Sequence, residues 1–93
     1  MFAVTYTYDP LTAETADRVR PEHRAFLARL ADSGDLVASG PWLDGAAGAL
    51  LLLRAESAAA VEALLDTDPF RAAGVIAERA IREWDPVIGV FAR

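Results

Sequence analysis

The spacing of hydrophobic positions changes along the chain, and the changes mark its elements. Phe2, Val4, Tyr6 and Tyr8 alternate with the small or hydroxylated Ala3, Thr5 and Thr7, the two-residue period of a β-strand. Asp9-Pro10 ends it. Residues 11–20 are rich in Thr, Asp, Glu and Arg and bring only Ala16 and Val19 toward a helical face; they read either as a polar loop or as an extra turn leading onward. From Arg20 to Gly34 the period becomes helical. Pro21 suits a first-turn position, where its missing N–H costs nothing, and Gly34 suits the left-handed residue after the last turn. Phe26, Leu27, Leu30 and Ala31 recur at three- and four-residue steps. His23, the only histidine, lies three residues before Phe26 and four before Leu27, on the same apolar face. Arg24, Arg29 and Asp32 fall mostly toward water.

Beyond Gly34, residues 35–39 make a short second strand stopped by Gly40-Pro41, and Trp42 opens a loop through Asp44, Gly45 and Gly48. Ala and Leu dominate residues 46–66, so propensity alone allows one long helix. Gly45 and Gly48 are poor helix-interior residues, and Ser57 is a good N-cap for a separate helix carrying Val61, Leu64 and Leu65. Residues 49–54 are therefore predicted to be a strand, and its unbroken leucines imply burial on both faces. Thr67-Asp68-Pro69-Phe70 begins a short turn. Glu78 to Trp84 is a strand of mixed polarity, with Phe70 and Trp84 assigned to the core, and the apolar run 87–91 after Asp85-Pro86 offers a short tail strand.

The order strand, helix, strand, strand, helix, strand predicts an α+β fold over residues 1–93 as one domain: the ferredoxin-like split β-α-β sandwich, an antiparallel sheet with two helices on one face. Two helices leave the other face of such a sheet bare. Strand 49–53 and segment 87–91 have apolar residues on both sides, so a second copy of the chain is expected to cover that face as a homodimer.

Composition narrows the chemistry. The 93 residues are 54% hydrophobic and 25% charged, with net charge −5, a balance that gives a folded domain and lacks the basic patch of a nucleic-acid binder. Cysteine is absent, which removes disulfides, thiolate nucleophiles and cysteine-ligated zinc. All nine basic residues are arginine, which removes a lysine Schiff base and with it the usual anchor of pyridoxal phosphate. There is no basic-then-apolar signal region near the start, and the longest apolar stretch is far below the ~20 residues a bilayer requires. A cytoplasmic protein without membrane contact is expected.

Few residues are then left to carry chemistry. His23, pointing inward, is either a core histidine bonded to backbone or a base available near neutral pH. Asp68 before Pro69 has the pattern of a helix cap, as Asp9 and Asp85 do before their prolines. Arg20 can present a fork to an anionic substrate or pair at the surface with Asp17 or Glu22. Trp42 can wall a pocket for a flat substrate. Ser39 can supply a hydroxyl but lacks the Gly-x-Ser-x-Gly elbow of a nucleophile. Residues 45–48 lack the Gly-Lys-Ser/Thr of a phosphate loop, and one histidine with carboxylates is a poor zinc set, so no metal and no cofactor is expected.

Taken together, the Arg20-Pro21-Glu22-His23 helix opening, Gly34 leading into Ser39-Gly40-Pro41, the strand from Gly48, Asp68-Pro69-Phe70 and the strand ending near Trp84 resemble the YciI-like (YCII-related) proteins, small members of the dimeric α+β barrel group. The resemblance spans almost the whole chain in the right order. It implies a ferredoxin-like fold with sheets packed face to face in a dimer, and a pocket built on His23 and Asp68. It also implies, from a minority of relatives, chemistry on aromatic compounds that includes removal of chloride from a ring. Two functions follow: a lyase- or dehalogenase-type acid–base enzyme acting on a small, flat metabolite, or a dimeric protein that binds a small molecule without turnover. For the enzyme, His23 and Asp68 are expected within hydrogen-bond reach, directly or through one water, lining a solvent-open cavity also touched by Arg20, Ser39, Gly40, Pro41 and Trp42. For the binding protein, a ligand binds without reaction or the imidazole is sealed in packing.

Overall fold

The computed structural model describes residues 1–92. Its elements run β1 (Phe2–Tyr8), a 3-10 turn over Pro10–Thr12, α1 (Ala13–Asp32), β2 (Leu36–Pro41), β3 (Gly48–Leu53), α2 (Ala58–Leu65), α3 (Pro69–Ala72) and β4 (Ile76–Glu83). The strands form one antiparallel sheet in the order β2-β3-β1-β4, the ferredoxin-like α+β arrangement expected from the sequence. The alternation of β1 sends Phe2, Val4 and Tyr6 to one face. There they meet Phe26 and Leu30 of α1, Val61 and Leu65 of α2, and Leu51 and Leu53 of β3 in a single cluster. Removing each such leucine from water contributes roughly 1.5–3 kcal/mol. A second cluster joins Ala16 of α1, Phe70 of α3 and Val75, which fixes the short helix against the long one.

The remaining face of the sheet carries no helix. On β3 it receives Leu50 and Leu52, with Leu52 placed between Ala3 of β1 and Ala38 of β2. Trp42, half-exposed, borders a shallow groove there with Ala38, Gly40, Leu50 and Leu52.

Several boundaries differ from the pattern reading. Helix α1 begins at Ala13 rather than Arg20, so Pro21 lies inside it. Asp9 accounts for the shift: its carboxylate accepts from the Leu11 N–H at 2.9 Å, and the capped turn runs directly into good helix formers. Pro21 removes one i→i−4 bond on the exposed side of the helix, where water can satisfy the freed carbonyl. At the other end the expectation for Gly34 is met, with φ +87° after the last turn. Ala31 is exposed rather than core. Strand β2 continues through Gly40-Pro41, an edge position where proline breaks no ladder bond to a further strand. Trp84 is 40% exposed just past β4, so it is not core. Residues 87–91 form bends and a turn rather than a strand, with Val87, Ile88 and Val90 facing solvent. Among the described residues no helix is long and apolar enough to cross a membrane.

Candidate functional site

His23 reaches the space between α1 and α3 because the Phe26–Leu30 stripe of α1 must face the sheet, and His23 is one turn earlier on that stripe. Its ring stacks on Phe70 with centroids 3.9 Å apart and planes 5° from parallel. Nδ1 lies 2.8 Å from Oδ1 of Asp68. Asp68 is in place for a local reason: it is the N-cap of α3, accepting the Phe70 N–H at Oδ1 over 2.9 Å, with Pro69 following at the first helical position. Its other oxygen, Oδ2, accepts the Tyr6 hydroxyl at 3.1 Å. A fully buried carboxylate thus collects three donors from three elements. As an acceptor-only group it requires the proton of the His23–Asp68 bond to sit on Nδ1, which leaves the lone pair of the neutral ring on Nε2.

Nε2 opens outward. Among the described residues no buried side-chain nitrogen or oxygen lacks a hydrogen-bond partner, and His23 bonds only through Nδ1. Nε2 is therefore the accessible edge of the ring, and His23 lines a cavity of about 320 Å³. Arg20, Ser39, Gly40, Pro41 and Trp42 line the same cavity. Asp68 does not: it stands behind the histidine, 0% exposed, which differs from the expectation that both members of the pair touch the cavity.

Arg20 pairs with Asp17 through Nη1 while still bordering the cavity, so the surface pair and the pocket position coexist. Phe70 and Leu51 form the apolar floor. Gly48 has a steric reason to be glycine, since a Cβ there would collide with the backbone oxygen of Tyr6 and crowd Trp42. Tyr8 meets Phe70 edge-on at 5.5 Å and lines the cavity. Its phenol is pushed up to about 12, first by burial and then by the negative field of Asp68, with Arg20 opposing. Burial and Asp68 push the Tyr6 phenol up further.

The pattern reading passed over four of these residues. Tyr6 and Tyr8 show in the pattern only as strand alternation, although two hydroxyls beneath helices each need an account of their hydrogen bonds. Gly48 shows in the sequence as a loop residue, a helix breaker and the start of a strand, none of which reveals its steric role. Arg24, assigned to water, is indeed exposed, yet it also lines the cavity one helical turn from Arg20. Among the described residues no group of three His, Asp or Glu side chains gathers closely enough to hold a metal ion.

An antiparallel α+β sandwich with a histidine held by a buried capping aspartate at an open cavity defines the class. Residues 1–85 match the YCII-related domain, and the chain belongs to that family. Among solved structures it is similar to a 5-chloro-2-hydroxyhydroquinone dehydrochlorinase from Burkholderia phenoliruptrix, determined in complex with 2,5-dihydroxybenzoquinone. The TM-score is 0.77 at 26% identity, covering 91% of this chain and 94% of the other. No curated protein sequence matches the chain.

Proposed function

We propose that the protein is a cytoplasmic homodimer that eliminates a leaving group from a small ring compound by non-covalent acid–base chemistry, with His23 as the base and Asp68 as the residue that orients it. The observation that carries this reading is the 2.8 Å bond from Nδ1 to a buried carboxylate, with Nε2 left toward the cavity. In the reaction, Nε2 takes a proton from the substrate and the electron pair released forms a new double bond. A group such as chloride departs from the neighbouring carbon with its own bonding pair. Asp68 stabilises the imidazolium that results, which returns its proton to water while the unsaturated ring leaves. The structurally similar dehydrochlorinase supports this reaction type, and the apolar Leu50–Leu52 side of β3 supports a second copy packed on the bare sheet face.

Incubation with 5-chloro-2-hydroxyhydroquinone, followed by a chloride electrode, tests the proposal. Release above the uncatalysed rate is expected, and it should disappear in His23→Gln while that variant keeps its circular dichroism and sedimentation. Chloride release by His23→Gln at the wild-type rate refutes the role of His23. Binding of the compound without any release by the wild-type protein replaces the enzyme reading with a ligand-binding one.

A further inference from the structure

Acidic residues outnumber basic ones fourteen to nine in this chain, yet the charged side chains that line the cavity are Arg20 and Arg24, with no carboxylate among the lining residues. A cavity wall whose charge opposes that of the whole protein selects for ligand charge. We infer that the cavity takes a flat ring bearing an anionic oxygen group, a carboxylate or an ionised ring hydroxyl, with Arg24 and Arg20 holding the anion and His23 Nε2 facing the ring. This deepens the reading of His23 as the working group of the site and rests on it.

Three observations support the inference. Arg20 and Arg24 are four residues apart on α1 and hence neighbours on one face of the helix, with His23 between them in sequence. Two adjacent guanidinium groups present planar forks suited to carboxylate or phenolate oxygens. They also differ in what they already bind. Arg20 is held by Asp17 through Nη1, which fixes its direction and leaves its other N–H groups to donate. Arg24 forms no ion pair among the described residues and is the uncommitted cation at the cavity mouth. Much of the rest of the lining is aromatic or apolar, with Tyr8, Trp42, Phe70 and Leu27 offering surface to a ring, and the hydroxyls of Tyr8 and Ser39 add polar groups beside it. A volume of about 320 Å³ lies at the small end of ligand pockets, the range for a single-ring compound.

Because His23 is the only histidine, its ring resonances report occupancy of the cavity directly. The wild-type dimer is titrated, at slightly alkaline pH and low salt, with benzoate, 4-nitrophenolate and the neutral benzamide. At least one of the two anions should displace the His23 resonances at a concentration about tenfold or more below that needed for benzamide. Benzoate leading identifies a carboxylate, and 4-nitrophenolate leading identifies an ionised hydroxyl. Arg24→Gln, at an exposed position, should bring the preferred anion into the benzamide concentration range. Equal titration by all three compounds overturns the inference while leaving His23 as a ligand-facing residue, and so does a preference that survives in Arg24→Gln. If none of the three moves the His23 resonances, this inference falls, while the function it rests on is decided separately by the chloride-release assay.

Discussion

Replacing Tyr6 by phenylalanine removes a single oxygen and tests how the site is held. Tyr6 is 1% exposed and Asp68 is 0% exposed. Of the three donors that reach Asp68, the His23 ring and the Phe70 N–H both go to Oδ1. The Tyr6 hydroxyl alone reaches Oδ2, so Tyr6→Phe leaves one oxygen of a buried carboxylate without a donor among the described residues. The phenyl ring keeps its packing in the core, so the cost is mainly electrostatic. A hydrogen bond to a charged group is worth about 1.5–3 kcal/mol, which places the expected loss within that range, at about 2 kcal/mol. For a domain of this size that lowers Tm by roughly 8–16 °C. Tyr8→Phe is the internal control: among the described residues the Tyr8 hydroxyl makes no side-chain hydrogen bond, and its loss should stay within about 0.5 kcal/mol. Urea unfolding of both variants and the wild type at one protein concentration gives the comparison, because the stability of the proposed dimer would depend on protomer concentration. The His23 Nδ1–H resonance should be sharp and slow to exchange in the wild type, broaden in Tyr6→Phe and persist in Tyr8→Phe. A difference between the two variants of less than about 0.5 kcal/mol refutes the view that Tyr6 anchors the aspartate.

The two faces of β3 make opposite predictions. Leu51→Asp places a charge among the helix-side core, at 0% exposure, and should cost more than about 4 kcal/mol and leave no cooperative unfolding transition. Leu52→Asp, on the face without helices, should instead leave a folded chain that sediments as a monomer, whereas the wild type is expected to sediment as a dimer. At high pH the two tyrosines set the trend. Their folded values lie above the ordinary phenol value near 10, Tyr8 at about 12 and Tyr6 higher. The stability they contribute should therefore be complete below about pH 10 and be lost as pH rises toward and through the Tyr8 value, which urea midpoints measured against pH will show. Asp68→Asn keeps a good N-cap for α3 and removes the charge behind His23, so chloride release should fall about a hundredfold or more while urea stability changes far less; equal losses of both would refute the separation of the two roles.

Much of this arrangement is written in short-range pattern. The alternation of β1 is readable because one side of that strand is buried, and Ser57 announces α2 because its hydroxyl does accept the Ala60 N–H at 3.1 Å. The inward direction of His23 follows from its spacing to Phe26 and Leu27. What fails to show is what depends on competition between signals. Pro21 reads as a helix start, yet the Asp9-capped turn nucleates α1 earlier, and one exposed missing hydrogen bond is too small a cost to stop a helix packed at Ala16 and Phe26. The apolar run 87–91 has strand composition but, among the described residues, pairs with neither edge strand, β2 or β4. Arg24 is hidden for a related reason: a residue at the rim of a cavity is solvent-exposed and site-lining at once, and helical periodicity recognises only the first.

Asp68 shows why the candidate site was nevertheless partly readable. Its sequence context, Asp-Pro-Phe, is a capping signature with no necessary link to chemistry, and Asp9-Pro10 uses the same pattern simply to start a turn. The difference lies in what the tertiary structure brings against the spare capacity of the carboxylate. At Asp9 one oxygen serves the Leu11 N–H and the group is only half-buried. At Asp68 the same local geometry is pushed into the core by Phe70, whose ring must bury. Burial obliges the carboxylate to find donors, and the helix-side faces of β1 and α1 offer Tyr6 and His23. The cap thus turns an ordinary inward histidine into one with a fixed tautomer and a free Nε2. Local sequence can specify the cap; only the packing of α3 against α1 makes it a site.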